Sequence, residues 1–494
     1  MSATATLPQG GRKPSGHASL RSFLAIDERQ GIVAFAQTRP GQLLIYVIAL
    51  AVVSRYLDHW AAGLAVSAAM AAAALPPLRN AILFTATWTM TLVETGLGDN
   101  DFAERIGIVL QQENITEFSA AWLATGFLLL ILIGTSGMLV MVRRNPQSLL
   151  ARRPMLTLLA LEAVLCGLTT LDILQGLPRL MLWSLLVTLT PFIWFLPYAI
   201  VDQRSKAPSP PLLHLAVLRP FWSPTYLPFG KGAAFLRKSL PKTPDELAVT
   251  QLKAVKLLLW STALLALKTG LTWTFGEQLN IPSVAQTLDA FLQDQPYPIG
   301  LSWSALILST TQFALQIAIW AHLFIGIARL AGYRLPRGSW RPLESRNLMD
   351  YFNRFHYYFK ELLVDFFFTP TFFKMFRSHP RLRMFFATFM AAAVGNALWH
   401  FVRDIDLVAR LGLAAALETY ASYVFYCVIL ATGVGLSQIR LNAGIRPSPT
   451  LPGKLYSFLC VWSFVVCMHL FSDGSRNHTL GERLSFLASL FGVI

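Results

Sequence analysis

Two histidines, 44 residues apart, stand beside polar residues in otherwise apolar sequence and could carry out proton-transfer chemistry. Asn353, His356 and Lys360 fall at positions i, i+3 and i+7, which share one side of an α-helix. Asn396 lies four residues before His400, a spacing at which its amide could hydrogen-bond the imidazole and fix its tautomer. A histidine in an apolar helix costs free energy unless it faces a cavity or a partner, so both are candidate functional residues.

The same histidines also have a purely structural interpretation. His356 would then be an anchor at the membrane interface, and His400 a packing residue with satisfied hydrogen bonds. No other catalytic motif competes with them: the sequence has no Gly-rich phosphate loop, no His-Glu-x-x-His and no Gly-x-Ser-x-Gly. The four cysteines lie in apolar stretches without metal-ligand spacing, so we expect neither a metal site nor a disulfide framework.

The composition indicates what kind of scaffold holds these residues. Of the 494 residues, 54% are hydrophobic and 14% are charged, whereas a soluble domain carries about 25% charged residues. This balance excludes a set of soluble domains and favours one helical bundle in the lipid bilayer. The net charge of +15 comes from 41 Lys and Arg against 26 Asp and Glu. In a membrane protein such an excess marks cytoplasmic loops, so we expect no nucleic-acid partner.

Membrane spans are predicted wherever about 20 mostly apolar residues follow one another, because that length of helix crosses the hydrocarbon core. The predicted fold class is therefore all-α, a polytopic integral membrane bundle of about eleven transmembrane helices with additional interfacial or re-entrant helices. The eleven predicted spans are 42–57, 60–76, 80–97, 119–142, 154–171, 180–201, 254–275, 299–327, 384–402, 412–439 and 453–472.

The charges of the connecting segments orient the bundle. The 202–253 segment has eight basic and three acidic residues, while the 276–298 segment has three acidic residues and no Lys or Arg. With the N-terminus in the cytoplasm, the basic loops fall inside and the acidic loops outside. The predicted organisation is a cytoplasmic tail (1–41), an N-terminal transmembrane bundle (42–201), a cytoplasmic Pro-rich connector (202–253) and a second transmembrane region (254–494).

Residues 339–383 do not fit either a span or a solvated loop. They hold too many charges to cross the bilayer, yet they are crowded with Phe and Tyr. Aromatic residues with long basic side chains are typical of a helix that lies at the interface or enters the bilayer partway. Polar backbone at that depth is tolerated only where it lines a protein cavity or water.

Taken together, these motifs resemble those of the membrane-bound O-acyltransferase (MBOAT) family, in particular the bacterial polysaccharide O-acyltransferase subgroup. Phe352-Asn-Arg-Phe-His356 corresponds to the family's aromatic-Trp-Arg-Arg-Trp-His motif, and Lys360-Glu361 stands in place of its Arg-Asp pair. Leu398-Trp-His400 corresponds to the second histidine motif. The resemblance covers roughly the last third of the chain. It departs from the family at Phe401, where a Gly is usual, and after the first histidine, where Ser-Leu-Ser is usual.

The resemblance implies a function and roles for the candidate residues. It implies acyl transfer, with acetyl as the expected group, from a thioester to a hydroxyl of a cell-surface or exported glycan. His400 would be the general base and His356 a second catalytic residue, with Asn353 and Asn396 positioning the substrates and Arg354 and Lys360 contacting donor phosphates.

The same resemblance implies the partners and the location. The co-substrate would be acyl-CoA or an acyl-carrier protein, with no tightly bound cofactor and no metal. The acceptor would be a glycan or a lipid-linked glycan, and a periplasmic or membrane partner protein could complete the transfer. The expected location is a bacterial inner membrane, with many passes through the bilayer.

Two other functions remain open at this stage. Charged residues within the predicted spans could mark the path of a transporter or lipid flippase, although they also serve as structural polar pairs. We see no inverted repeat of the kind that such transporters carry. The third possibility is a non-catalytic membrane protein with an MBOAT-like fold. The charges in question are Glu94, Glu162, Lys268, Arg329 and Glu418.

Overall fold

The computed structural model describes residues 25–97, 101–472 and 477–493, with the side chains of 94–97 and 101 outside the description. Within these ranges every regular element is helical. The first half of the chain contains α1 (Gln30–Ala36), α2 (Arg39–Val53), α3 (His59–Ala74), α4 (Arg79–Leu97), α5 (Asp101–Gln112), α6 (Ala120–Arg144), α7 (Leu149–Arg152), α8 (Pro154–Leu168), α9 (Leu177–Leu189), α10 (Leu196–Gln203), α11 (Pro211–Ala216) and α12 (Ala233–Lys238).

The second half contains longer helices and three π-helical segments. The π-helical segments are π1 (Thr272–Gln278), π2 (Val364–Phe368) and π3 (Met390–Gly395). The α-helices are α13 (Pro244–Leu271), α14 (Val284–Leu292), α15 (Ile299–Leu330), α16 (Leu348–Phe355), α17 (Tyr357–Leu363), α18 (Thr369–Lys374), α19 (Pro380–Phe389), α20 (Asn396–Arg403), α21 (Asp406–Leu411), α22 (Leu413–Thr419), α23 (Ala421–Asn442), α24 (Leu451–Ser472) and α25 (Leu480–Leu490).

Six helical stretches in the described part of the chain are long and apolar enough to cross a membrane, and up to eight if each of two bent pairs forms one span. These features are those of a multi-pass helical membrane protein. The predicted count of about eleven spans is not what the structure has. The six stretches are 120–144, 244–278, 299–330, 380–403, 421–442 and 451–472.

Prolines explain part of the difference in span count. The predicted span 180–201 is broken between α9 and α10, where Pro191 removes a backbone donor and obstructs a continuous helix, and Pro197 lies in the first turn of α10. Pro76 separates α3 from the helix that follows it, and the two axes meet at 119°. The predicted span 154–171 ends as a helix at Leu168, which leaves α8 only 15 residues long. These segments are apolar enough to lie in the bilayer, but their helices are too short or too sharply bent to count as single spans.

The two longest helices, α13 and α15, pack side by side more extensively than any other pair in the described part of the chain. Their close approach depends on Gly326, because a Cβ there would lie 2.8 Å from Leu258 Cδ2. Helices α1 and α2 pack on α13, α3 packs on α15, and α24 packs on α15 and on α23. The 202–253 segment, predicted to be a connector, packs into the protein: α11 lies against α4, and the Trp222 side chain is fully buried.

Candidate functional site

A cavity of about 580 Å³ opens among α15, α16, α17, π2, π3, α20 and α23. Most of its wall is aromatic and aliphatic, and the described residues that line it include no Asp or Glu. Both candidate histidines lie on this wall, although they come from segments 44 residues apart. The predicted site residues that line the cavity are Asn353, His356, Lys360, Asn396 and His400.

His356 occupies a break between two short helices. It ends α16 and begins α17, with φ −139° and ψ 66°, and so does not continue either helix. Helix α16 is initiated by Asn347, whose side chain accepts a hydrogen bond from the Asp350 amide at 2.9 Å. After the break, the amide of Tyr357 donates to the carbonyl of Gly338 at 2.9 Å, which fixes the start of α17. The break turns the His356 ring toward the cavity.

His400 reaches the cavity from a different kind of element. It lies on α20, which continues from α19 through π3 as one apolar stretch of 24 residues. Gly395, the last residue of π3, packs directly against π2. A Cβ at Gly395 would lie 2.8 Å from Phe367 Cγ and 3.0 Å from Leu363 Cδ2, so only glycine allows this approach. The pair of π-helical segments thus holds the two histidine-bearing regions together, and such segments are frequent at functional sites.

One phenylalanine ring connects the two histidines. The Phe359 ring centroid lies 5.5 Å from that of His356 and 6.1 Å from that of His400. The two imidazoles are therefore separated by no more than the sum of these distances. Phe359 also packs edge-on against Trp399, at 5.0 Å between centroids. A substrate of a few ångströms placed beside this ring could contact both imidazoles.

The surroundings of His400 contain groups that the sequence did not point to. The Tyr423 ring lies 4.3 Å from the His400 ring, and the Tyr423 hydroxyl donates to Oδ1 of Asn396 at 3.4 Å. The Tyr420 hydroxyl lies 2.8 Å from both the His400 carbonyl oxygen and the Asp404 carboxylate. Tyr423 thereby contacts both Asn396 and the His400 ring, and so connects the two residues. No sequence signal indicated these two tyrosines, because their contacts depend on how α23 lies against α20.

The cations near the cavity differ in where they point. Lys360 lines the cavity, with its Nζ 2.6 Å from Glu361 Oε1. Arg403 also lines it and is held by a two-pronged pair with Asp404, at 2.6 and 2.9 Å. Arg354 does not line the cavity. Its Nε pairs with Asp350 at 2.7 Å and its guanidinium lies 5.0 Å from the Trp340 ring centroid.

Behind Lys360, a half-buried ion cluster fixes α17 and π2 to the α10–α12 region. Lys231 Nζ lies 2.8 Å from Glu361 Oε2 and 2.8 Å from Asp365 Oδ2, and the Tyr198 hydroxyl donates to the same Asp365 oxygen at 3.1 Å. Glu361 therefore joins the cavity lysine to this cluster. Burial alone would raise the pKa of Glu361, but Lys360 and Lys231 lower it overall. Burial opposes the charge of Lys231, and the two carboxylates raise its pKa.

His356 is held neutral by its surroundings. Its side chain is half-buried on the cavity wall, and burial among apolar groups lowers the pKa of its imidazole to about 4. A neutral imidazole offers one donor and one acceptor nitrogen, which suits hydrogen bonding to a carbonyl or hydroxyl. No group of three or more metal-ligating side chains occurs in the described ranges.

The charges that suggested a transport path are found elsewhere. In the described part of the chain none of them lines the cavity, and the side chain of Glu94 lies outside the described residues. Glu162 accepts from the Thr190 hydroxyl at 2.5 Å, Lys268 donates to Gln316 at 2.6 Å, and Arg329 donates to a backbone carbonyl at 3.0 Å. These contacts are those of structural polar pairs.

Comparison with known proteins adds no further identification. No model of a known protein family matches the chain, and a comparison with curated proteins finds no significant match.

Proposed function

We propose that the protein is a membrane-embedded O-acyltransferase that moves an acyl group, expected to be acetyl, from a thioester to a hydroxyl of a cell-surface or exported glycan. One observation carries this proposal: a single cavity receives two histidines from distant segments, on either side of one aromatic ring. Transfer of this kind needs a base, because a hydroxyl is a poor nucleophile at neutral pH.

In the proposed reaction His400 takes the proton of the acceptor hydroxyl as its oxygen bonds to the thioester carbonyl carbon. The carbon–sulfur bond then breaks, and the departing thiolate receives the proton from the imidazolium. His356, being neutral, hydrogen-bonds the carbonyl oxygen or the acceptor. Lys360 and Arg403 supply positive charge at the wall, which favours an anionic donor such as acyl-CoA or an acyl-carrier protein. Asn353 stands on the same wall, where its amide can orient either substrate.

The topology in this proposal follows the loop charges. The basic segments face the cytoplasm of a bacterial inner membrane, and the acidic 276–298 segment faces outward. With this orientation, a cytoplasmic N-terminus requires that one of the two bent helix pairs crosses the bilayer. The donor would reach the cavity from inside and the glycan from outside, with a periplasmic or membrane partner protein completing delivery.

The test replaces each histidine by glutamine and measures ester-linked acyl groups on the envelope polysaccharide. Cells that lack their own copy of the protein receive the wild-type, His400→Gln, His356→Gln or His322→Gln chain, with membrane levels matched by immunoblot. His322 is the matched control, since it also lies on an apolar span, α15, but does not line the cavity. Mild alkali releases the acyl groups for quantification as free acids.

We expect His400→Gln to lower the transfer rate by about 10²- to 10⁴-fold, the usual contribution of a general base. His356→Gln should also reduce it, whereas His322→Gln should retain it. Normal acylation in a His400→Gln protein at full membrane level would refute the catalytic assignment. Acylation that is absent in the wild-type strain would favour a transporter or a non-catalytic membrane protein.

A further inference from the structure

The ring of Tyr423, a residue of the neighbouring span α23, packs against the ring of His400. It lies near the start of α23, is 8% exposed, and places its ring 4.3 Å from the imidazole at an interplanar angle of 42°. The other rings near His400 are Trp399, its neighbour in sequence, and Phe359, whose centroid lies farther away at 6.1 Å. Tyr423 is therefore the closest ring to His400 among these contacts, and it belongs to a separate helix.

The hydroxyl of Tyr423 is fixed by a residue on the His400 helix. It donates to Oδ1 of Asn396, which is 4% exposed and lies one turn before His400. The O···O distance of 3.4 Å makes this a weak hydrogen bond. Together with the ring contact to His400, this hydrogen bond limits how far the Tyr423 ring moves along the cavity wall relative to α20.

The same end of α23 also holds the main chain of His400. The Tyr420 hydroxyl lies 2.8 Å from the His400 carbonyl oxygen, so backbone and ring are each contacted by one tyrosine from consecutive turns. This matters because α20 has only eight residues and follows a π-helical segment. A base must hold its nitrogen within hydrogen-bond reach of the acceptor proton, and small misplacements cost large factors in rate.

We propose that Tyr423 is a positioning residue for His400 and that Asn396 acts on His400 through the Tyr423 hydroxyl. This inference rests on the proposed role of His400 as the base. Tyr423 takes no part in proton transfer; it restricts the imidazole to the orientation in which it accepts the hydroxyl proton. Asn396, the predicted direct orienter, holds Tyr423 in register with the helix that carries His400.

The chain provides a matched control at Tyr426. This tyrosine lies one turn further along α23, lines the same cavity and packs 5.3 Å from Tyr423 between ring centroids. In the part of the chain that the structure describes, its hydroxyl makes no hydrogen bond to another side chain or to the backbone. Removing that hydroxyl changes cavity polarity as Tyr423→Phe does, but leaves the His400 contact unchanged.

The experiment measures transfer of radiolabelled acetyl from acetyl-coenzyme A to the envelope polysaccharide fraction in permeabilised membrane vesicles. The variants are Tyr423→Phe, Tyr426→Phe, Asn396→Leu, the Tyr423→Phe/Asn396→Leu double variant and His400→Gln. We expect Tyr423→Phe to lower kcat about tenfold with KM for acetyl-coenzyme A unchanged, since positioning affects the transition state rather than donor binding. Tyr426→Phe should lower kcat much less than Tyr423→Phe does.

The double variant tests the route from Asn396 to His400. If Asn396 acts through the Tyr423 hydroxyl, Asn396→Leu should lower kcat in the wild-type chain and cause little further loss in Tyr423→Phe. Full additivity of the two losses would overturn this route.

The failures of the two proposals are distinguishable. Loss of transfer in His400→Gln together with wild-type kcat in Tyr423→Phe would overturn the Tyr423 assignment alone. Equal losses in Tyr423→Phe and Tyr426→Phe would also overturn it, because a general loss of cavity polarity would then explain both. Retained transfer in His400→Gln would refute the proposed function itself, and the Tyr423 assignment with it.

Discussion

Replacing Gly395 by alanine tests the packing that brings the two histidine regions together, without removing any chemical group. The new Cβ would lie 2.8 Å from Phe367 Cγ, 2.9 Å from its Cδ2 and 3.0 Å from Leu363 Cδ2, whereas ordinary contacts begin at 3.4 Å. Two of the three clashing atoms belong to a phenylalanine ring, which cannot bend away as a flexible side-chain end can. The Phe367 ring is itself buried at 9% exposure, so π2 and π3 must separate.

The magnitude follows from two opposing terms. Overpacking of this kind costs about 1–3 kcal/mol, and the better helix propensity of alanine returns up to about 1 kcal/mol. We therefore expect a net loss of about 1–2 kcal/mol in the free energy of unfolding. Activity should fall further than stability suggests, because an error of about 1 Å between catalytic groups can cost about 10²-fold in rate.

The assay compares thermal unfolding of purified protein in detergent with acyl transfer in vesicles. Gly137→Ala, on α6, is the control, since its Cβ would meet no atom within 4 Å. We expect Gly137→Ala to be as stable as the wild type or slightly more so. Wild-type stability and transfer in Gly395→Ala would refute the close approach of the two π-helical segments.

Three further predictions concern charge. Lys231→Met removes the cation that Asp365 and Glu361 share and leaves Glu361 with Lys360, so it should destabilise the protein by about 1.5–3 kcal/mol in thermal unfolding, while the exposed Lys206→Met should not. The pKa of His356 falls from its ordinary 6.5 to about 4 on folding, so the unfolded chain binds more protons between these values and stability is lost as the pH falls below about 6.5. At about pH 5 the free energy of unfolding should be about 2 kcal/mol lower than at neutral pH because of His356. The His356→Gln variant should lack this pH-dependent loss when its free energy of unfolding is measured as a function of pH. Lys360→Met should raise KM for acetyl-coenzyme A about tenfold, whereas Arg354→Met, outside the cavity, should leave it unchanged.

More of the residues around the cavity than of the membrane spans could be predicted from the sequence. Five of the six predicted residues line one cavity, because a polar residue in an apolar helix must find a polar or hollow environment. Arg354 is the exception, and its pairing with Asp350 at i−4 is a local pattern that the sequence already contained. Tyr423 could not be placed, since its contact with His400 depends on how two separate helices are aligned.

The number of membrane spans was harder to predict from the sequence. Apolar content predicts burial well, but it does not distinguish a helix that crosses the bilayer from one that ends within the protein. Glu162 illustrates this, since its helix is apolar yet short, and its carboxylate accepts from Thr190 in the segment where the next predicted span is broken. Pro191 is visible in the sequence. How sharply such a proline breaks its helix is decided by tertiary packing.

The π-helical segment before His400 has a consequence for how this site can change over time. A π-helical turn is equivalent to one residue inserted into an α-helix, and each residue of an α-helix advances by about 100° around the axis. Deleting a single alanine from Ala391–Ala393 would therefore turn the wide π-helical turn into an ordinary α-helical one, while the residues beyond it, His400 included, keep their direction around the helix axis. The π-helical segment thus lets this span lose one codon ahead of His400 and keep the imidazole at the cavity, whereas a second deletion would rotate His400 by about 100° and silence the site.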